Sequence, residues 1–139
     1  MKKLGIVFIA LTFILAACSG GSPDVSSADV VSKLQEAGLE ADGATDMTKD
    51  DYGAAPMLAK EGKRILVPSL GDDKGGRIFI FSSTDDLEKT KAFYDELGKS
   101  SAMLFSWTAA NNDKNVLIQM NGDMTEEQFK KYEEAINNM

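Results

Sequence analysis

The stretch RILVPSLGDDKGGRIFIFSS, residues 64–83, decides the fold. Two apolar runs flank an acid- and glycine-rich link, GDDKGG (Gly71 to Gly76), a composition that makes turns because glycine reaches positive φ without steric cost. The first run, RILVPSL, is β-branched and leucine-rich. Pro68 donates no ladder hydrogen bond, so the end of that strand belongs at a sheet edge or a bulge. The second run, RIFIFSS, is apolar at consecutive positions. It therefore reads as a central strand covered on both faces. A β-hairpin in the middle of the chain follows.

A second hairpin lies downstream. AMLFSWT from Ala102 alternates Met103, Phe105 and Trp107 on one face with Leu104, Ser106 and Thr108 on the other. NVLIQM from Asn115 is its expected partner across AANNDK. PMLAKEGKR is read as a short extra edge strand turning at Glu61-Gly62. Three helices frame these hairpins. The first is capped by Ser26 or Ser27, has Asp29 in its first turn and buries Val30, Val31, Leu34 and Ala37, with Gly38 as its stop. The second is capped by Ser83 or Thr84, carries Leu87, Thr90, Phe93, Tyr94 and Leu97 on one side, and ends at Gly98. The third opens with a capping box, Thr125 with Gln128, and a hydrophobic staple, Met124 with Phe129. Phe129, Tyr132, Ile136 and Met139 then recur at helical spacing. DMTKDDY (46–52) echoes DMTEEQF (123–129), and shared capping chemistry accounts for both. Glu40 to Ala55 has no clean period and reads as a long connection, with Thr48 and Asp51 able to cap one helical turn. The expected fold is α+β: a two-layer sandwich with a four-stranded antiparallel sheet and helices on one face, in the order α-ββ-α-ββ-α.

Composition narrows the chemistry. The 139 residues carry a formal charge of −7 with a pI near 4.6, and there is no histidine. An acidic chain is a poor nucleic-acid binder, because phosphate contacts need Lys and Arg. Without histidine there is no Ser-His or Cys-His nucleophile pair and no imidazole metal ligand. Carboxylate, lysine and tyrosine chemistry remain open.

The N-terminus gives the place of work. Lys2 and Lys3 precede an apolar stretch from Leu4 to Ala17, too short for a comfortable span, which takes roughly 20 apolar residues. Its end, Leu15-Ala16-Ala17-Cys18, resembles the lipobox of bacterial lipoproteins. That resemblance implies a diacylglyceryl thioether on Cys18 and cleavage just before it. It also implies a cell-membrane anchor on the extracytoplasmic face, with the bilayer as a partner through the acylated cysteine. The expected organisation is a cleaved signal at 1–17, the lipidated Cys18 and a flexible Gly/Ser/Pro tether at 18–27, and one globular domain at 28–139. Two acyl chains give stable anchoring, whereas one is marginal. Loss of the signal leaves 13 basic residues against 22 acidic ones, a formal charge of −9, which anionic headgroups repel.

Elsewhere no motif specifies a reaction. Asp72 and Asp73 lack the alternating ligands and distal glutamate of a calcium loop, and Gly75-Gly76 lacks a phosphate-loop context. NNDKN (Asn111 to Asn115) is turn composition. Trp107, the sole tryptophan, reads as core, with interface anchor as its alternative. Met47, Met57, Met103, Met120, Met124 and Met139 are scattered and read as gap-fillers, not as a soft-metal site. Lys99 beside Ser100 and Ser101 does not match S-x-x-K. No catalytic residue, metal or cofactor is assigned. The body of the chain, in VPSLGDDKGGRIFIF (67–81) and NGDMTEEQFKKYEEA (121–135), resembles small lipoproteins of Gram-positive bacteria. Some small lipoproteins of mobile elements block entry of further DNA by binding an envelope protein. The expectation is a non-enzymatic interaction module at the cell envelope, in exclusion or envelope stress, with an envelope protein or polymer as partner and no nucleic acid. The alternative is a small carboxylate-based envelope enzyme or a solute-binding lipoprotein. Inward-facing carboxylates in a cavity would favour the alternative; an exposed apolar patch over a filled core would favour the first.

Overall fold

The computed structural model describes residues 24–139. Among these residues one open antiparallel sheet of five strands is flanked by four α-helices. In chain order they are α1 (Ser27–Glu36), β1 (Asp42–Asp46), α2 (Lys49–Tyr52), β2 (Glu61–Leu66), β3 (Gly75–Ile80), α3 (Thr84–Ser100), β4 (Ser106–Asn111), β5 (Val116–Asn121) and α4 (Glu126–Asn137). The sheet order is β1-β2-β3-β5-β4. Both expected hairpins form, β2 with β3 and β4 with β5, and β3 joins them as the middle strand.

Strand pleating sends alternate side chains to opposite faces. Ile78 and Ile80 of β3, Val116, Ile118 and Met120 of β5, and Ile65 of β2 turn to one face. Val30, Val31 and Leu34 of α1 cover it together with Phe129, Tyr132 and Ile136 of α4. Phe79 and Leu117 turn to the other face, where Leu87 and Tyr94 of α3 and Tyr52 of α2 meet them. Helices therefore lie on both faces, and the expected two-layer arrangement is corrected to three layers. The reason is β3 and β5 themselves: Ile78-Phe79-Ile80 and Val116-Leu117-Ile118 are apolar at consecutive positions, which leaves a greasy surface on each side, and water must be kept from both.

Four further expectations are corrected. The sheet has a fifth strand, β1, inside the stretch read as a connection. All five of its residues are exposed, so it is held by main-chain pairing to β2 and leaves no apolar alternation to read. β2 runs unbroken from Glu61, without a turn at Glu61-Gly62. Residues 102–104 form a 3₁₀ turn, with the Ser101 hydroxyl accepting from the Met103 N–H, and β4 begins only at Ser106. Met103 is 94% exposed rather than on an inner face. The helix expected to stop at Gly98 continues to Ser100. Gly98 is instead a point of close approach, since a Cβ there would stand 3.1 Å from Cδ2 of Phe105. Ser26 caps α1 in a reciprocal box with Asp29, and Ser27 donates its N–H and hydroxyl to Glu61, both at 2.8 Å.

The capping signals hold elsewhere. Ser83 caps α3, and the Thr48/Asp51 and Thr125/Gln128 boxes both form. Gly38 ends α1 at φ +77°, with the Leu39 N–H returned to the Leu34 carbonyl.

Candidate functional site

The two faces of the sheet differ in chemistry, and the second holds most of the polar residues that the fold positions. On it Arg64 of β2, Arg77 of β3 and Gln119 of β5 line a small cleft of about 150 Å³, with Gly75 and Gly76 in its wall. Only glycine fits at Gly75, where a Cβ would lie 2.0 Å from the Ile65 carbonyl oxygen. Arg77 donates from Nε to the Asp51 carbonyl at 3.0 Å and from Nη1 to Oε1 of Gln119 at 2.9 Å. Arg64 Nη2 donates to the Asp73 carbonyl at 3.1 Å. Both guanidinium groups are thus oriented by neutral oxygens, and among the described residues neither is in an ion pair. The cleft offers two guanidinium groups, donors of the kind that suit a small anion. Of the carboxylates, Asp73 alone borders it.

Beside this cleft, Asp95 of α3 accepts from Lys91 Nζ at 2.7 Å and from the Thr108 hydroxyl at 2.5 Å. Burial opposes its ionisation, but the hydrogen bonds from Lys91 and Thr108 prevail and hold its carboxyl below the usual range. Across the sheet, the Ser27 N–H and hydroxyl lower Glu61 in the same way. Burial, reinforced by the Glu40 carboxylate, pushes the Tyr132 phenol up to about 12, and its O–H donates to the Glu40 carbonyl at 2.7 Å. These groups are occupied in holding elements together.

The sequence candidates are dispersed. Leu15, Ala16, Ala17 and Cys18 lie outside the described residues. Pro68–Leu70 forms a 3₁₀ turn just before the Gly71–Gly76 link; within the link Asp73 sits at φ +57°, and Lys74 Nζ meets Asp123 at 2.5 Å. Among the described residues no group of three or more carboxylates is placed to hold a metal ion. Asn115 takes φ +53° in the second turn, while the Asn111 amide donates to the Ile136 carbonyl at 2.8 Å. Lys99 pairs with Glu96 at 2.7 Å, and Ser100 donates to the Leu97 carbonyl. Trp107 packs between Phe105 and Phe129 and donates from Nε1 to the Met124 carbonyl at 2.8 Å. It is partly buried and joins β4 to the start of α4.

Sequence reasoning missed an apolar ridge. Met103, Leu104 and Phe105 are 94%, 53% and 40% exposed at the end of the sheet where α3 runs out. A run that could pack as a strand resembles one that protrudes; the signal lay in Ser101, which caps the turn, and in Gly122. A Cβ at Gly122 would lie 2.3 Å from the Phe105 carbonyl oxygen. Among the described residues no helix is long and apolar enough to cross a membrane. Compared with protein-family models, with curated proteins and with solved structures, the chain matches none.

Proposed function

We propose that this chain is a lipid-anchored lipoprotein of the bacterial cell envelope, fixed to the extracytoplasmic face through Cys18, whose α+β domain is a non-enzymatic interaction module. The observation that carries the reading is the polarity of the domain. Asp24 shares a hollow with Ile80 and Asn115, at one end of β3 and β5. Phe105 precedes Ser106, which pairs with Asn121 at the other end of β5. A six-residue strand spans about 20 Å. An anchor entering at Asp24 therefore presents Met103, Leu104 and Phe105 away from the bilayer, over a core in which every buried side-chain polar atom of the described residues is partnered. Large apolar side chains grouped in solvent mark contact surfaces for other proteins.

Two measurements test the reading. Cys18→Ser abolishes metabolic fatty-acid labelling and leaves the precursor uncleaved; labelling that persists in the variant refutes the anchor. A photo-crosslinking residue at Met103, in intact cells, captures an envelope protein. Capture of none, together with hydrolytic activity of the purified chain on envelope polymer, reverses the assignment to an enzyme. The Arg64/Arg77 cleft favours a second reading, a lipoprotein that binds a small anionic solute. Retention of a carboxylate or phosphate ligand, lost in Arg77→Met, would establish it.

A further inference from the structure

The two edges of the sheet are built differently. β1 carries Asp42 and Asp46, breaks its register between Asp42 and Thr45, and has Gly43 at φ +53°. Charge and a bulge are standard guards against further strand pairing. β4, SWTAAN, has no charge, no proline and an unbroken register against β5.

Its main-chain groups can be oriented from the ladder. The Phe81 N–H donates to the Asn115 carbonyl, so 81–115, 79–117 and 77–119 are the hydrogen-bonded pairs between β3 and β5. Val116, Ile118 and Met120 therefore turn their main-chain groups to β4, meeting Asn111, Ala109 and Trp107. The N–H and C=O of Thr108 and Ala110 point outward, away from the sheet.

That free edge lies at the bottom of a groove. A concavity of about 770 Å³ is lined by residues 108–111 of β4, by Glu88 and Lys91 of α3, and by Glu133 and Met139 from the α4 end. Both walls are pinned to the strand, α3 through Asp95 and Thr108, α4 through Ile136 and Asn111. Ala109 and Ala110 carry the smallest side chains of the strand and leave room beside the edge.

We infer that β4 is a strand-addition site that takes an extended, basic segment of a partner polypeptide between α3 and α4. Four residues of edge pair with about four residues of guest, roughly 13 Å. The recess selects the occupant. One strand fits between two helices, whereas a second copy would bring its own α3 and α4 against these walls. Charge selects further. Lys91 is paired with Asp95, so among the lining residues Glu88, Glu133 and the neighbouring Asp113 outnumber the one remaining cation, Lys114; Lys130, outside the groove, lies near Glu133, and the domain as a whole is acidic. The inference rests on the interaction-module reading and names the partner's chemistry. It is read out in vitro, so it and the anchor at Cys18 can fail separately.

The experiment uses the full chain in detergent micelles and the acetylated, amidated octapeptide KVTVKVTK at up to millimolar concentration. Amide hydrogen exchange followed by NMR should show saturable protection of Thr108 and Ala110, at least tenfold. The acidic counterpart EVTVEVTE should bind at least fivefold more weakly, and a KVTVKVTK peptide N-methylated at alternate amides should give no protection. Ala110→Pro removes an outward N–H without touching a bond to β5 and should abolish binding. Glu88→Lys with Glu133→Lys leaves the strand intact and should weaken binding at least fivefold. The proposal is overturned by any of four results: absence of saturable protection, protection confined to other residues, protection that rises with protein concentration as the chain dimerises, or protection already complete without peptide because residues 18–23 occupy the edge.

Discussion

The two faces of the sheet are made by the same strands, one residue out of step, yet they are built from different materials. The α1/α4 face is aliphatic at its centre, with Ile65, Ile78, Val116, Ile118 and Met120 all at or near zero exposure. The α2/α3 face has one aromatic cluster, Phe79 with Tyr52, Phe81 and Tyr94 at 5.9–6.1 Å, and beyond it a polar strip of Arg64, Arg77, Gln119 and Thr108. The first face excludes water at its centre by aliphatic packing, with hydrogen bonds from Tyr132, Trp107 and Asn111 at its margins. The second does so only around Phe79, and elsewhere relies on hydrogen bonds between groups that also reach solvent. Stability should therefore be concentrated differently on the two sides, and adjacent residues can be used to compare them.

The largest effect is expected at Phe79. Phe79→Ala removes the hub of the aromatic cluster and leaves a cavity that α3, tied to β4 through Asp95, cannot close. The expected cost is about 3–5 kcal/mol, against about 1 kcal/mol for Ile78→Val one residue away on the other face. Denaturant titration of both variants checks the contrast. A Phe79→Ala loss no larger than that of Ile78→Val would show the α3 layer to be loosely packed.

The next effect lies in the polar strip. Arg77→Met strands the Asp51 carbonyl and Oε1 of Gln119, both of which lose a donor. Leaving part-buried acceptors unpaired costs about 1–3 kcal/mol. Adding Gln119→Leu removes one of the stranded acceptors, and the double variant should regain part of that loss. A double variant less stable than Arg77→Met would mean that packing, not hydrogen bonding, holds Gln119 in place.

These contrasts also explain how much of the molecule could be read from its sequence. Patterns that act through burial or capping were legible: the β2/β3 hairpin from residues 64–80, the central place of β3, the box at Thr125 and a cap for α1 at Ser26 or Ser27. The three-layer arrangement was implied by Ile78-Phe79-Ile80, since a strand apolar on both sides needs two covers, but an isolated helix does not reveal which face it takes. β1 was illegible because DGATD is held by main-chain pairing, which leaves no hydrophobic trace. Met103–Phe105 was misread because an apolar run carries no mark of protrusion; the deciding contacts, Phe105 against Gly98 and Gly122, come from positions distant in the chain. Of the candidate site, Arg64 and Arg77 were seen only as the first residues of strands. Their convergence depends on the register of β2 with β3, where Arg64 faces Arg77.

Trp107 should give a smaller change. Trp107→Phe keeps an aromatic ring between Phe105 and Phe129 but deletes the donor to the Met124 carbonyl. The expected loss is about 1 kcal/mol, measured by denaturation followed by circular dichroism, since the tryptophan signal itself is removed. A loss above about 3 kcal/mol would make the aliphatic face as dependent on single polar contacts as the other.

The smallest effect separates the faces by pH. Asp95 on one side and Glu61 on the other each have a folded pKa below the unfolded value. Each therefore adds stability that is fully present well above pH 4 and is lost as the pH falls through the folded pKa. Asp95→Asn should leave an acid limb flatter below about pH 4, because the variant carries no titrating group there; Glu61→Gln should flatten the same limb from the other face. The two changes should add, since the groups sit on opposite sides of the sheet with no shared partner. Independent groups in one cooperative unfolding add, so non-additive flattening, measured as the slope of stability against pH between about 5 and 2, would show that the two groups are coupled through the sheet or that acid opens the two layers in separate steps, the faces then failing apart as their difference in material suggests.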